Sequence, residues 1–199
     1  MLTSDDRSSL VIDDLGDRVR GRNATVACFY FDFAAQNDQS PTSVLGSVLR
    51  QLVCGQEEIP EEIFRAYKDQ KNSIGGRGPQ LSDIVKMIQT ASSKHHTFIC
   101  IDALDECVVG HWVKLLDSLN RILEKSPGTR IFVTGRQHIL PEVERCLEGK
   151  VASVSVTPRT DDIIRYLRSR LHEDTTRDAM DSNLETDILK KIPADVSEM

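Results

Sequence analysis

Three acids stand within five positions at the end of one apolar run, Thr97-Phe98-Ile99-Cys100-Ile101-Asp102-Ala103-Leu104-Asp105-Glu106. A strand built from this run would deliver Asp102 at its tip. A hard carboxylate oxygen there suits Mg²⁺ held beside phosphates. Asp105 or Glu106 could then orient or deprotonate a water that attacks a terminal phosphate. A plainer reading has Asp105 and Glu106 cap the helix that carries Trp112. Both readings stay open on spacing alone.

A second constellation lies about thirty positions further on, where Ile131-Phe132-Val133 ends in Thr134-Gly135-Arg136. A strand tip of this kind offers a hydroxyl and a permanent cation to the same crevice. The Arg136 guanidinium matches phosphate oxygens in geometry and could sense a γ-phosphate. Its plain alternative is a solvent-facing arginine in an ordinary turn. Gly75-Gly76-Arg77-Gly78 is not a phosphate loop, because it lacks a G-K-[ST] ending and no strand precedes it. Arg165, Arg168 and Arg170 fall on the polar side of an amphipathic helix. No G-x-S-x-G nucleophile elbow occurs.

The elements that must position these residues can be read from apolar spacing. Val11, Ile12, Leu15 and Val19 have helical period, stopped by Gly21. Ala24 to Phe31 is apolar almost throughout, as a strand covered on both faces should be. Pro41 suits the first turn of a helix bearing Val44, Leu45, Val48, Leu49 and Leu52. Pro60-Glu61-Glu62 opens a shorter helix, and Leu81, Ile84, Val85 and Ile88 mark another. Thr97–Ile101 and Arg130–Thr134 read as short strands on either side of a helix from Trp112 to Leu123, which Pro127-Gly128 ends. Val151-Ala152-Ser153-Val154-Ser155-Val156 reads as a weaker, alternating strand. Thr160 caps a helix with Ile163, Ile164, Leu167 and Leu171. Ser182-Asn183-Leu184-Glu185 has capping-box spacing before a last helix. Strands alternating with helices imply right-handed crossovers and a mainly parallel sheet with helices on both faces. In such sheets ligands bind beyond the carboxyl ends of the strands, where both constellations lie.

Composition narrows the function classes. The 199 residues carry 25 basic and 31 acidic side chains, a net charge of -6, and 5% aromatics. That balance argues against nucleic-acid binding by phosphate neutralisation or base stacking. No apolar run approaches the ~18 residues of a membrane span, and the acidic Met1–Arg7 start does not resemble a signal peptide. A cytoplasmic protein is expected. Five cysteines form no C-x-x-C pair, and Cys28 and Cys100 read as small buried hydrophobes. The histidines are not spaced for a zinc site.

Phe98-Ile99-Cys100-Ile101-Asp102-Ala103-Leu104-Asp105-Glu106-Cys107 resembles the extended Walker B of NACHT-type signalling NTPases. It is especially similar to the large fungal set with a nephrocystin 3-like N-terminal domain. Ala27-Cys28-Phe29-Tyr30-Phe31-Asp32-Phe33 resembles that family's second strand, and Ser126 to Arg136 resembles its sensor 1 strand. The resemblance implies a three-layer, P-loop NTPase-like parallel α/β sheet, and an ATP- or GTP-dependent switch that oligomerises to activate a fused effector. By it, Asp102 is the Mg²⁺-associated acid, Asp105 and Glu106 are the water-side acids, and Thr134 and Arg136 face the nucleotide.

Three departures accompany it. Gln137 follows Arg136 where the family usually has proline. The polar run Asp5-Asp6-Arg7-Ser8-Ser9 is expected to interrupt a helix that relatives keep continuous. The family's G-x-x-x-x-G-K-[ST] loop has no copy in these residues; its place is immediately before Met1. The resemblance therefore implies an incomplete sheet, with the first strand and the phosphate loop absent and a central gap between the sensor strand and Val151–Val156. A partial core over residues 1–175 and the start of a helical region over 176–199 are expected. Mg²⁺ with ATP or GTP belongs to the complete domain, and this chain alone should bind nucleotide weakly or not at all. Partners would be proteins, through oligomerisation or fused effector and repeat domains, with no nucleic acid and no membrane. The alternatives are a non-catalytic module that docks on intact relatives, and a truncated gene model with no biological product of this length.

Overall fold

The computed structural model describes residues 4–56, 58–72, 78–157, 159–173 and 182–197, so Gly75, Gly76 and Arg77 of the glycine-rich stretch lie outside the described residues. The chain divides into two compact units, Leu2–Ala152 and Ser153–Met199.

In the first unit, β1 (Ala24–Tyr30), β2 (His96–Asp102) and β3 (Thr129–Val133) form a parallel sheet in the order β1-β2-β3. Cys28 stands opposite Cys100, and Ile99 opposite Ile131. Alternation along each strand sorts the side chains onto two faces. Ala27, Ile99 and Ile101 are 0–1% exposed and belong to the inner face. Cys28, Tyr30, Phe98, Cys100, Asp102 and Phe132 belong to the other.

The inner face is covered by three amphipathic helices. These are α2 (Pro41–Cys54), α4 (Leu81–Ser92) and α5 (Val109–Lys125), with α3 (Glu61–Asn72) packed on α4. Ser40 caps α2 by accepting from the Ser43 amide at 3.2 Å, and Pro41 takes the first turn, where its missing N–H costs nothing. The helix then buries Val44, Leu45, Val48 and Leu52, at roughly 1.5–3 kcal/mol each. Gly55 ends it against the sheet, because a Cβ at that position would stand 2.8 Å from Thr25 Cγ2. From α5, Leu115, Leu116, Leu119 and Ile122 complete the core.

On the opposite face lies α1 (Ser4–Val19), whose Leu15 and Val19 line a groove with Ala24, His96 and Phe98. The three-layer parallel α/β architecture expected from the sequence is therefore present. In the second unit, α7 (Thr160–Glu173) and α8 (Ser182–Ser197) pack on each other. Among the described residues, no helix is long and apolar enough to cross a membrane.

Two expectations are corrected. The polar run Asp5–Ser9 does not interrupt the first helix, which is continuous from Ser4 to Val19. A polar run without proline or glycine can continue a helix, since polarity alone breaks no backbone bond. Val151–Val156 is not a strand; it pairs with none among the described residues, and Val154 and Val156 are 85% and 72% exposed. An alternating segment becomes a strand only beside a partner that takes up its ladder bonds. A short helix that the apolar spacing does not announce, α6 (Leu140–Cys146), follows β3 through a 3-10 turn at Gln137–Ile139.

Candidate functional site

The site is built where β2 and β3 end side by side. Ile101 accepts from the Thr134 amide at 3.0 Å and Thr134 accepts from the Leu104 amide at 3.0 Å, so the ladder runs past both strand ends. This register sets the Thr134 side chain against the tip of β2. Its hydroxyl donates a short hydrogen bond to Asp102 Oδ1 and accepts from the Ala103 amide at 3.0 Å. Ala103 has φ 53° and ψ 47°, the single described non-glycine residue at positive φ. A left-handed alanine costs on the order of 1–2 kcal/mol, and the bond to Thr134 helps hold it. The reversal at Ala103 turns the chain away from the sheet and leaves Asp102, 5% exposed, facing the strand ends.

Asp105 and Arg136 form the second pair. Asp105 Oδ1 accepts from the Arg136 amide at 3.3 Å, and Oδ2 lies 3.3 Å from Arg136 Nε. The carboxylate is nearly enclosed, at 9% side-chain exposure, whereas the Arg136 side chain is 80% exposed. The arginine is thus tethered at its base, and a screened pair of this kind contributes little to stability. Gly135 permits the approach. A Cβ there would meet Ile139 Cδ1 at 2.4 Å and Asp105 Oδ1 at 3.2 Å.

Glu106 lies apart from this cluster. Its Oε2 accepts from the Phe33 amide at 3.0 Å, which ties it to the loop leaving β1. That loop is braced by Asp32, whose Oδ1 accepts from the Ala34 amide at 2.8 Å. The β1 end itself is joined to the site, since Asp102 O accepts from the Phe31 amide at 3.1 Å. Of the five residues singled out from sequence, four gather in two contacting pairs at the β2 and β3 ends: Asp102 with Thr134, and Asp105 with Arg136. The fifth, Glu106, bridges to β1.

Sequence reasoning missed the clasp role of Thr134, the Phe33 amide as partner of Glu106, and the packing below the site. There Trp112 donates to Cys107 O at 2.8 Å and its ring lies 6.0 Å from that of His138. The Thr-Gly-Arg order was the available signal for the clasp. Nothing local marks Phe33.

Chemically, the buried Asp102 carboxylate and the Thr134 hydroxyl are hard oxygen donors, which fit Mg²⁺. No group of three or more acids, histidines or cysteines suited to a metal occurs among the described residues. The donor set thus fits an ion that takes one or two protein ligands and completes its shell with phosphate and water.

A family model described as nephrocystin 3, N-terminal, matches residues 7–136, more than half of the chain. That span holds every residue of the site. No curated protein matches significantly. Among solved structures, a Walker-type ATPase of Pyrococcus abyssi is similar at 12% identity with a TM-score of 0.46. The alignment covers 98% of this chain and 65% of that one, so the chain spans less than two thirds of that protein's length.

Proposed function

Because the chain belongs to the nephrocystin 3 N-terminal family, we propose that it carries the Walker B and sensor 1 portion of a NACHT-type, P-loop nucleotide switch. The observation that carries this reading is the clasp in which Thr134, at the end of one parallel strand, holds Asp102 and Ala103 at the end of its neighbour. An acid fixed there stands where parallel α/β sheets bind ligands. In the complete switch, Asp102 would hold Mg²⁺, Asp105 or Glu106 would orient water, and Thr134 and Arg136 would face the γ-phosphate of ATP or GTP. Hydrolysis would control oligomerisation and a fused effector.

These 199 residues contain no G-x-x-x-x-G-K-[ST] loop, whose amides and lysine supply most of the phosphate grip. The strand that feeds such a loop would pair along the outer side of β3. The chain alone is therefore deficient in nucleotide binding. Its partners are proteins and not nucleic acid, in keeping with a net charge of -6. Five cysteines, all free, suit a reducing cytoplasm.

Titration with a fluorescent ATP analogue and Mg²⁺ tests this reading. The expected result is no micromolar binding by the chain, and binding on fusion to an N-terminal strand bearing the lysine loop, lost again in Asp102→Asn. Micromolar affinity in the chain alone, abolished by Asp102→Asn, would overturn the deficiency. Fusion without any gain would overturn the switch.

A second reading, a non-catalytic module that docks on intact relatives, is favoured by the unpaired outer side of β3. Co-purification with an intact homologue would support it, and a monodisperse monomer without such affinity would count against it.

A further inference from the structure

Cys28 and Cys100 occupy the same face of the sheet and are direct register partners in β1 and β2. Neighbouring strands lie ~4.7–4.9 Å apart, inside the ~4.4–6.8 Å range of Cα separations that a disulfide spans. Both are free thiols; Cys28 is partly exposed and Cys100 is buried at 2%. The two differ in access, and the accessible one stands directly beside the enclosed one. Cys54 is the exposed cysteine of the set, and no cysteine stands in register with it.

We propose that Cys28 and Cys100 form a redox modification site, a dithiol that a peroxide converts to a β1–β2 cross-strand disulfide. Cys28 reacts first, its sulfur attacking the peroxide O–O bond to give a sulfenic acid and release water from hydrogen peroxide. The Cys100 thiol then attacks that sulfur, the S–S bond forms, and the hydroxyl leaves as a second water. Two thiols lose two electrons and two hydrogens, and one peroxide gains them. The Cys28 thiol now lies 3.7 Å from Gln51 Oε1. Closing the bond turns the Cys28 side chain from Gln51 toward Cys100 and brings the two Cβ atoms to ~3.5–4.5 Å. Burial pushes the Cys28 thiol up. Oxidation is accordingly slow and needs a sustained peroxide supply. The bond would join the strands two positions before Tyr30 and Asp102, and so lock the register that carries the site.

The test is peroxide treatment of the full chain, quenching with an alkylating maleimide, and peptide mass mapping without reductant. The expected product is one cross-linked species containing Cys28 and Cys100, lighter by two hydrogens and reversed by dithiothreitol. Cys54→Ser should leave it unchanged. Cys28→Ser should abolish it and leave Cys100 a free thiol. Because the mapping is done on the unaltered chain, a variant that folds poorly does not decide the matter. Conversion of Cys28 to sulfinic or sulfonic acid while Cys100 remains a thiol would overturn the proposal. So would a cross-link that runs instead through Cys54.

Discussion

The two edges of the sheet differ at one position on β1. On the outer side of β1, the main chain of Cys28 points away from β2. There Gln51 meets it with both ends of its amide. Oε1 accepts from the Cys28 amide at 3.0 Å and Nε2 donates to the Cys28 carbonyl at 2.7 Å. One side chain from α2 stands in for the peptide of a further strand. On the outer side of β3, Ile131 and Val133 point their main chains away from β2, because the alternate residues Phe132 and Thr134 face it. No hydrogen bond to Ile131 or Val133 from that side occurs among the described residues. An unpaired edge is a template for another strand, and folded proteins normally blunt it. Here the β1 edge is blunted at Cys28, whereas the β3 edge beside the candidate site has no such side-chain partner among the described residues.

An edge strand held from one side leans on what ties it to its neighbour, and for β3 that tie is Thr134. Thr134→Val keeps the shape but removes the donor to Asp102 and the acceptor for Ala103. The buried carboxylate loses a charge-assisted bond and the left-handed turn loses its anchor. The expected loss is about 3 kcal/mol, read as the shift in urea midpoint at unchanged m-value. A loss below about 1 kcal/mol would mean that the clasp is ornamental and that β3 is held by core packing alone.

The contrast between edges should next appear in amide hydrogen exchange. The Cys28 amide, closed off by Gln51, is expected to exchange about 100-fold more slowly than those of Ile131 and Val133, equal to about 2.7 kcal/mol of local opening. Equal rates would erase the distinction. Fusion of an N-terminal strand bearing the lysine loop should slow Ile131 and Val133 and leave Cys28 unchanged.

Much of this arrangement was legible in the sequence, and what was not has a common cause. The apolar spacing of Val44, Leu45, Val48 and Leu52, or of Leu115, Leu116, Leu119 and Ile122, reports a buried face directly. Asp102 and Thr134 could be placed at strand ends because the apolar runs before them stop there. What the spacing cannot report is which distant backbone group a polar side chain will meet. Gln51 lies 23 positions from Cys28, and Glu106 lies 73 from Phe33; neither pairing leaves a local trace. Val151–Val156 fails for the same reason in reverse, since its alternation is real but a strand also needs a neighbour.

The closed edge can be opened by Gln51→Leu, which keeps the bulk and removes both bonds. The half-buried Cys28 amide and carbonyl then depend on water, and the expected cost is about 2 kcal/mol, below that of Thr134→Val. The exchange advantage of Cys28 should vanish in the same variant. A stable variant whose Cys28 amide stays protected would show that α2 shields the edge by packing, with Gly55 against Thr25, and not through the glutamine.

The smallest effect should come from the solvent face of the bare strand. Phe132 is 40% exposed there, with its side chain perpendicular to the edge and its main chain bonded inward to β2. Phe132→Thr replaces an exposed ring by a β-branched side chain that also favours strands, so folding stability should move by less than about 0.5 kcal/mol. An edge that accepts a strand through its backbone should still accept one in this variant, because Ile131 and Val133 supply the outward hydrogen bonds and Phe132 supplies none. If Phe132→Thr instead abolished nucleotide binding in the strand-bearing fusion while stability held, the accepting surface would be the exposed face of β3 and not its edge. The opposition between a closed and an open edge would then give way to one between a covered and an uncovered face.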